Sequence, residues 1–273
     1  MSLNILRNFK PIAFLLILCF SLNAISQKLP KIQQVSVRAP TVIINGQIDQ
    51  SSDDFRAYNP NNRIYYTISN DDDNLYLVLQ TSDSFSNEKA IFGISFTVKK
   101  SQQNKKTNKN VVVTYPITYG TRIINPIRHI IEADRKLRKD TTYKSKKKTD
   151  SISLIANKQL NESFKEIEVA GVEGITESTV SIYNSYGIKV SAEFNNNMRY
   201  VFKLAIPLKY LNSSINSSQK LLYNIKMNGI PTITPGSPFP APTISGNVLD
   251  LLGPDNAYVT YSTDFSGEYA LAK

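Results

Sequence analysis

The stretch IYYTISNDDDNLYLVLQTSD, residues 64–83, decides the fold. Over 63–69 apolar and polar residues alternate, so Ile64, Tyr66 and Ile68 share one face of a strand and Tyr65 points from the other. Residues 75–81 are apolar on both faces, the pattern of a strand buried inside a packed sheet. Between them, Asn70-Asp71-Asp72-Asp73-Asn74 supplies side chains that bond their own backbone and tolerate left-handed geometry, so the whole reads as a β-hairpin.

Outward from this hairpin, strand patterns fall at 91–98, 111–119, 164–170, 178–183, 188–194, 199–206, 221–228 and 257–262. Their β-branched and aromatic content, broken by turn residues, predicts an all-β chain: an antiparallel, jelly-roll-like β-sandwich. Asn195-Asn196-Asn197 predicts a tight turn, and Pro207 to Leu211 a single helical turn. One amphipathic helix is expected from Pro126 to Arg138, with Ile127, Ile130, Ile131 and Leu137 on one face and Asn125 as its cap. Lysine-rich loops at 99–109 and 139–149 flank it, so 99–150 reads as a basic helical insertion in a single domain, 27–273. The five prolines of 231–242 rule out a central strand there.

Residues 1–26 carry the marks of a targeting segment. Arg7 and Lys10 precede the apolar run 11–22, and Ala24 and Ser26 are small residues placed for cleavage after Ser26. The run is short of the roughly 20 apolar residues that span a bilayer. Acylation at Cys19 is the alternative, with Leu18 an unusual residue before such a site. The expectation is an exported, non-integral protein of the periplasm or cell surface. Cys19 is the only cysteine, so the remaining chain has no thiol for a disulfide, a nucleophile or a zinc site.

The net charge of +10 is local. Between Lys99 and Asp150 stand 15 Lys and Arg against 4 Asp and Glu, a net of +11. Clustering and export together argue against nucleic acid, and point either to a solvated loop pair or to a contact with an anionic envelope surface.

Asn45-Gly46-Gln47-Ile48-Asp49, then Asp53-Asp54-Phe55 and the 64–83 hairpin, resemble the opening of family-9 carbohydrate-binding modules, which belong to the DOMON-like β-sandwiches. Asn45 stands where that pattern has its first Asp, and Phe55 where it has Trp. The stretches 165–172, 181–194, 200–211, 223–230 and 263–273 resemble a group of exported Gram-negative envelope proteins. The resemblance implies a DOMON-like sandwich and sugar recognition. This chain has no Trp for the family's sugar clamp, and only Met198, Met227 and His129 as haem ligands, so neither site carries over and no cofactor is expected.

No catalytic residues are assigned. His129, the one histidine, lies on the expected helix among basic residues, a poor setting for a general base. Asp71, Asp72 and Asp73 are hard oxygen donors, but a hairpin turn accounts for all three, so no metal site is assigned. A glycosidase would need two facing carboxylates from among Asp49, Asp53, Asp54 and Glu193. Fifteen tyrosines make the best binding material, and Tyr65, Tyr183 and Tyr186 are the candidate ligand contacts. The function expected is non-catalytic recognition of a glycan or related small ligand. The alternative is a structural or partner-binding envelope protein using the basic insertion or the Pro-rich loop.

Overall fold

A computed structural model describes residues 29–39, 55–99, 110–118, 146–212, 214–216, 218–229 and 254–273, with 43–44, 47–48, 129–130, 133 and 136. In chain order the elements are β1 (Ile43–Ile44), β2 (Gln47–Ile48), β3 (Ala57–Asn59), β4 (Ile64–Asn70), β5 (Asn74–Thr81), α1 (Ser84–Ala90), β6 (Ile94–Lys99) and β7 (Val111–Tyr115). There follow α2 (Lys146–Ser163), β8 (Glu166–Ala170), β9 (Thr179–Ser181), β10 (Lys189–Phe194), β11 (Tyr200–Pro207), β12 (Lys220–Met227), α3 (Pro254–Thr260) and β13 (Thr263–Ala270). Two antiparallel sheets carry the fold, in the orders β10-β11-β5-β4-β3 and β13-β12-β6-β7-β8-β9. Together they are an all-β sandwich, with one core cluster drawing on both. Among the described residues no helix is long and apolar enough to cross a membrane.

The β4–β5 hairpin forms as its sequence dictates. Asp71 Oδ1 accepts from the amides of Asp73 (2.8 Å) and Asn74 (2.6 Å), and Oδ2 accepts from the Tyr76 hydroxyl. Burial pushes the Asp71 carboxyl up, but these hydrogen bonds outweigh it and hold the group below the usual carboxylate range. β5 sits in the middle of its sheet, with Leu75, Leu77 and Leu79 in the core and Tyr76 and Val78 buried on the other face.

Across the sandwich, Tyr66 of β4 meets Tyr223 of β12, hydroxyl to hydroxyl at 3.0 Å, and Tyr66 also accepts from the amide of Gln33 at 3.0 Å. Both tyrosines are fully buried, so burial raises their phenol pKa values and keeps them neutral.

Two side-chain amides close exposed sheet edges. β3 covers only the first part of β4, and beyond it Gln33 mimics a peptide, giving Nε2 to the Ile68 carbonyl (2.8 Å) and taking the Ile68 amide on Oε1 (2.7 Å). At the opposite edge Asn157 of α2 does the same for Phe194 of β10, at 2.9 Å and 2.6 Å. Edge strands with unpaired amides invite association, and both devices fill those bonds.

The sequence reading needs three corrections. The loop expected at 139–149 ends in α2, which begins at Lys146; Ile152, Ala156 and Leu160 fall at helical spacing and pack on the core. Of the strand expected at 257–262, residues 257–260 are instead the end of α3, opened by Pro254, 261–262 are the turn after it, and the strand starts at Thr263. The strand expected at 91–98 starts only at Ile94, because 84–90 form α1, whose Asp83 and Ser86 make a capping box. Of the expected helix over 126–138, His129, Ile130, Ala133 and Lys136 are described and helical, with Ile130 buried. Residues 1–26 and 231–242 lie outside the described residues.

Gly267 pairs with Tyr223 across β12 and β13, and a Cβ there would overlap the Tyr223 hydroxyl and come within 2.9 Å of Ile32. Gly267→Ala is expected to cost about 1–3 kcal/mol, lowering Tm by roughly 2–4 °C per kcal/mol. Thermal unfolding measures this, and an unchanged Tm would show that the tyrosine is not packed against β13.

Candidate functional site

The two outer faces of the sandwich differ. On the five-stranded sheet, outward Val78, Val201 and Ala205 are buried, and β2 packs against β11. On the six-stranded sheet the outward face is mostly polar and partly exposed, with Thr114 buried within it and Leu222 an exposed apolar residue on it. The register sets Asp264, Lys226, Ser95, Thr114, Glu168 and Thr179 directly opposite one another, one from each of six strands. Five strand spacings make this row roughly 24 Å long. The inward neighbours Ile225, Phe96, Val113 and Ile167 are core residues, so period-2 alternation alone puts the polar row outside.

At the middle of the row the face deepens into a groove of 480 Å³, within the size range of small-ligand sites. Its floor is a hydroxyl-amide cluster. Ser95 Oγ lies 2.8 Å from Thr114 Oγ1, and Asn228 Nδ2 donates to Ser95 Oγ at 3.2 Å. Glu168 and Lys226 stand on either side, and Pro116, Ile117 and Phe92 form an apolar wall. The opposite rim is Thr260, Tyr261 and Ser262, with Tyr261 59% exposed. Gly229 makes this rim possible. With φ of 71°, it lets the chain leaving β12 pass so near the carbonyls of Val259 and Thr260 that any Cβ would sit within 2.9 Å of both.

The rim is tied down from below. Lys89 of α1, fully buried, donates to Thr263 Oγ1 at 2.8 Å and lies 4.1 Å from the centre of the Tyr258 ring. The guanidinium of Arg63 lies 4.4 Å from the same ring, and the Tyr258 hydroxyl donates to the Asn62 carbonyl at 2.7 Å. Two cations thus hold one aromatic ring of α3. Burial first, and the charge of Arg63 second, push the Lys89 ammonium down to about 8.

The tyrosines singled out from sequence fall elsewhere. Tyr65 is half-buried on the outer face of β4, 4.6 Å from the Tyr58 ring and 5.9 Å from that of Phe55. Tyr183 is 78% exposed with Lys165 6.0 Å from its ring, and Tyr186 packs on the core while its carbonyl accepts from Tyr210 at 3.0 Å. Tyr183 and Tyr186 share the β9–β10 connection, which passes from one sheet to the other. Tyr65 is not with them: its register runs through Gln80 and Val201 to Glu193, near the far end of β10 from that connection. Among the carboxylates considered for hydrolysis, Asp49, Asp53 and Asp54 lie outside the described residues, and Glu193 is 3.9 Å from Lys203 on the outer face of β10. Asp72 pairs with Arg38 at 2.7 Å. Among the described residues no three His, Cys, Asp or Glu side chains gather to hold a metal ion.

The groove residues were not singled out from sequence. They come from β6, β7, β8, β12 and the α3–β13 turn, and only strand order and register bring them together. The available signal was the alternation in ISFTVK and KLLYNIKM, which marks a polar face without locating a hollow in it. No family model, curated protein or solved structure matches the chain, so the chemistry of the groove rests on its own geometry.

Lys89 predicts a pH dependence. Its folded pKa is below the ordinary value of 10.5, so its contribution to stability is largest above 10.5 and is lost as pH falls through 8. Between pH 7 and about 9.5 the wild-type chain should gain about 1–2 kcal/mol relative to Lys89→Met. Denaturant unfolding of both proteins at the two pH values measures the difference, and parallel profiles would contradict the buried ammonium.

Proposed function

We propose that the protein is an exported, non-catalytic binding protein that takes a glycan or a related polyhydroxylated ligand in the groove of its six-stranded sheet. The observation that carries this reading is the Ser95–Thr114–Asn228 cluster between Glu168 and Lys226, in a groove that the exposed Tyr261 also lines. Sugar hydroxyls both donate and accept, and hydroxyl, amide, carboxylate and ammonium groups side by side answer both roles. The flat face of Tyr261 suits stacking on the apolar side of a pyranose ring. Glu168 is the one carboxylate lining this groove among the described residues, whereas general acid–base hydrolysis of a glycoside uses two. The polar row continues past the groove to Asp264 and Thr179, which favours an extended ligand over a single sugar. The resemblance of 45–83 to family-9 carbohydrate-binding modules supports the same ligand class, with the contact surface moved from the missing Trp clamp to this open face.

A thermal-shift screen of residues 27–273 against linear β-linked glucose, xylose and N-acetylglucosamine oligosaccharides tests the proposal. A ligand at 100 times its dissociation constant should add about 2.7 kcal/mol, a Tm rise of roughly 5–11 °C at 2–4 °C per kcal/mol. Tyr261→Ala and Glu168→Gln should abolish the shift, while Tyr65→Ala and Tyr183→Ala should keep it. Silence across the series, or a shift that survives both groove substitutions, would overturn the assignment.

A further inference from the structure

Strand β13 is an edge of its sheet, bonded to β12 on one side only. The amide of Leu271 donates to the Gln219 carbonyl at 2.9 Å, which fixes the phase of the ladder: Thr263, Phe265, Gly267 and Tyr269 give their backbone groups to β12. Asp264, Ser266, Glu268 and Ala270 therefore each aim an N–H and a C=O away from the sheet, and among the described residues no backbone group meets them. The other edges differ. β3 and β9 are three residues each, and on β10 the side chain of Asn157 takes both backbone groups of Phe194. β13 is eight residues long, and Asp264, Ser266 and Glu268 are exposed. Nor is this edge guarded by bare charge. Glu268 is bound to Lys220 at 2.7 Å, and the Asp264 carboxylate accepts from Asn224 at 2.6 Å, both partners on β12. Beneath it the chain from Ile32 to Val37 runs past Gly267 and Tyr269, with Val35 exposed between them.

We infer that β13 is a docking edge for a second copy of this chain, the two strands pairing antiparallel about a two-fold axis. The occupant is fixed because the strand is complementary to itself. With Gly267 opposite Gly267 of the second copy, Asp264 faces Ala270 and Ser266 faces Glu268, so all four residues with outward backbone groups are bonded. On the inner side Phe265 faces Tyr269, both buried, so apolar meets apolar and polar meets polar along the strand. Sliding by two residues in either direction sets Asp264 against Glu268 or Glu268 against Glu268, and like charges directly opposite destabilise a strand pair. Charge and alternation thus select one register. Because paired residues share a face, the polar rows of the two copies lie on one side of the joined sheet. Neither the groove nor its ligand is needed, so this pairing stands or falls apart from the glycan reading.

Sedimentation velocity of residues 27–273, which contain every described residue and leave out the apolar run 11–22, tests the pairing from micromolar to near-millimolar protein. One added strand pair is a small interface, so a reversible dimer that grows with concentration is expected. In the dimer the amides of Ser266 and Glu268 should exchange with deuterium at least tenfold more slowly than in dilute protein. Ser266→Pro removes an N–H that β12 does not use, and should abolish the dimer while the monomer keeps its fold. Ser266→Glu reads the same contact without proline. The Ser266 side chain lies 3.3 Å from Lys99 of its own chain, so a carboxylate there is tolerated within the monomer and Tm should not fall. Across the two-fold axis it meets Glu268 twice, and should weaken the dimer by about tenfold. A monomer at every concentration, a dimer that either variant leaves undiminished, or a dimer whose Ser266 and Glu268 amides exchange as in the monomer would overturn the inference.

Discussion

The hydroxyl contact between Tyr66 and Tyr223 sets the relation between the two sheets. It is a polar bond between two fully buried side chains, and a buried hydroxyl deprived of its partner costs about 1–3 kcal/mol. That cost makes the facing of β4 and β12 specific, where apolar contacts alone would tolerate sliding. Its consequences spread outward. Gly267 must lack a side chain because the Tyr223 ring occupies that space, and Gln33 is held where its amide reaches Tyr66 and its side chain reaches Ile68. Because Tyr223 points inward, Asn224 and Lys226 alternate with core residues on the open side. The polar row on the surface is therefore the reverse side of the tyrosine bond in the core.

The sandwich uses its two sheets unequally. One is buried on both faces along its middle strands, and side-chain amides of Gln33 and Asn157 satisfy the backbone of Ile68 and Phe194 on its edge strands. The other keeps one face in water, and there the ends of β6, β7 and β12 meet the turn between α3 and β13. Lys89 and Arg63 secure that turn through the ring of Tyr258, so the rim of the groove is held by buried chemistry and not by the groove itself. A binding surface on rigid strands loses little conformational entropy when a ligand arrives.

Much of this architecture was legible in the chain. The alternation of 63–69, the doubly apolar run of 75–81 and the aspartate-rich turn between them correspond to β4, β5 and Asp71 holding the turn. The turn at Asn195 formed for the same reason, its side chain accepting from the amides of Asn197 and Arg199. Helices were read less well. α1 is only seven residues long, too short to show a period, and α2 begins in a lysine run whose charge masked the apolar spacing of Ile152, Ala156 and Leu160. The groove was out of reach for a different reason. Ser95, Thr114, Glu168 and Lys226 are ordinary polar residues of ordinary strands; β6, β7 and β8 neighbour one another in chain order, but their register, and the placing of the distant β12 beside β6, are not written in any local pattern.

The central claim is that ligand recognition belongs to the open face of the six-stranded sheet. Amide chemical-shift mapping of isotope-labelled residues 27–273, titrated with a linear oligosaccharide that raises its Tm, tests this most directly. The account predicts perturbations confined to Ser95, Thr114, Glu168, Asn228 and the 260–262 rim, spreading along the row toward Asp264 as the oligosaccharide lengthens. Perturbations centred on Tyr58 and Tyr65, or on Tyr183 and Tyr186, would contradict it.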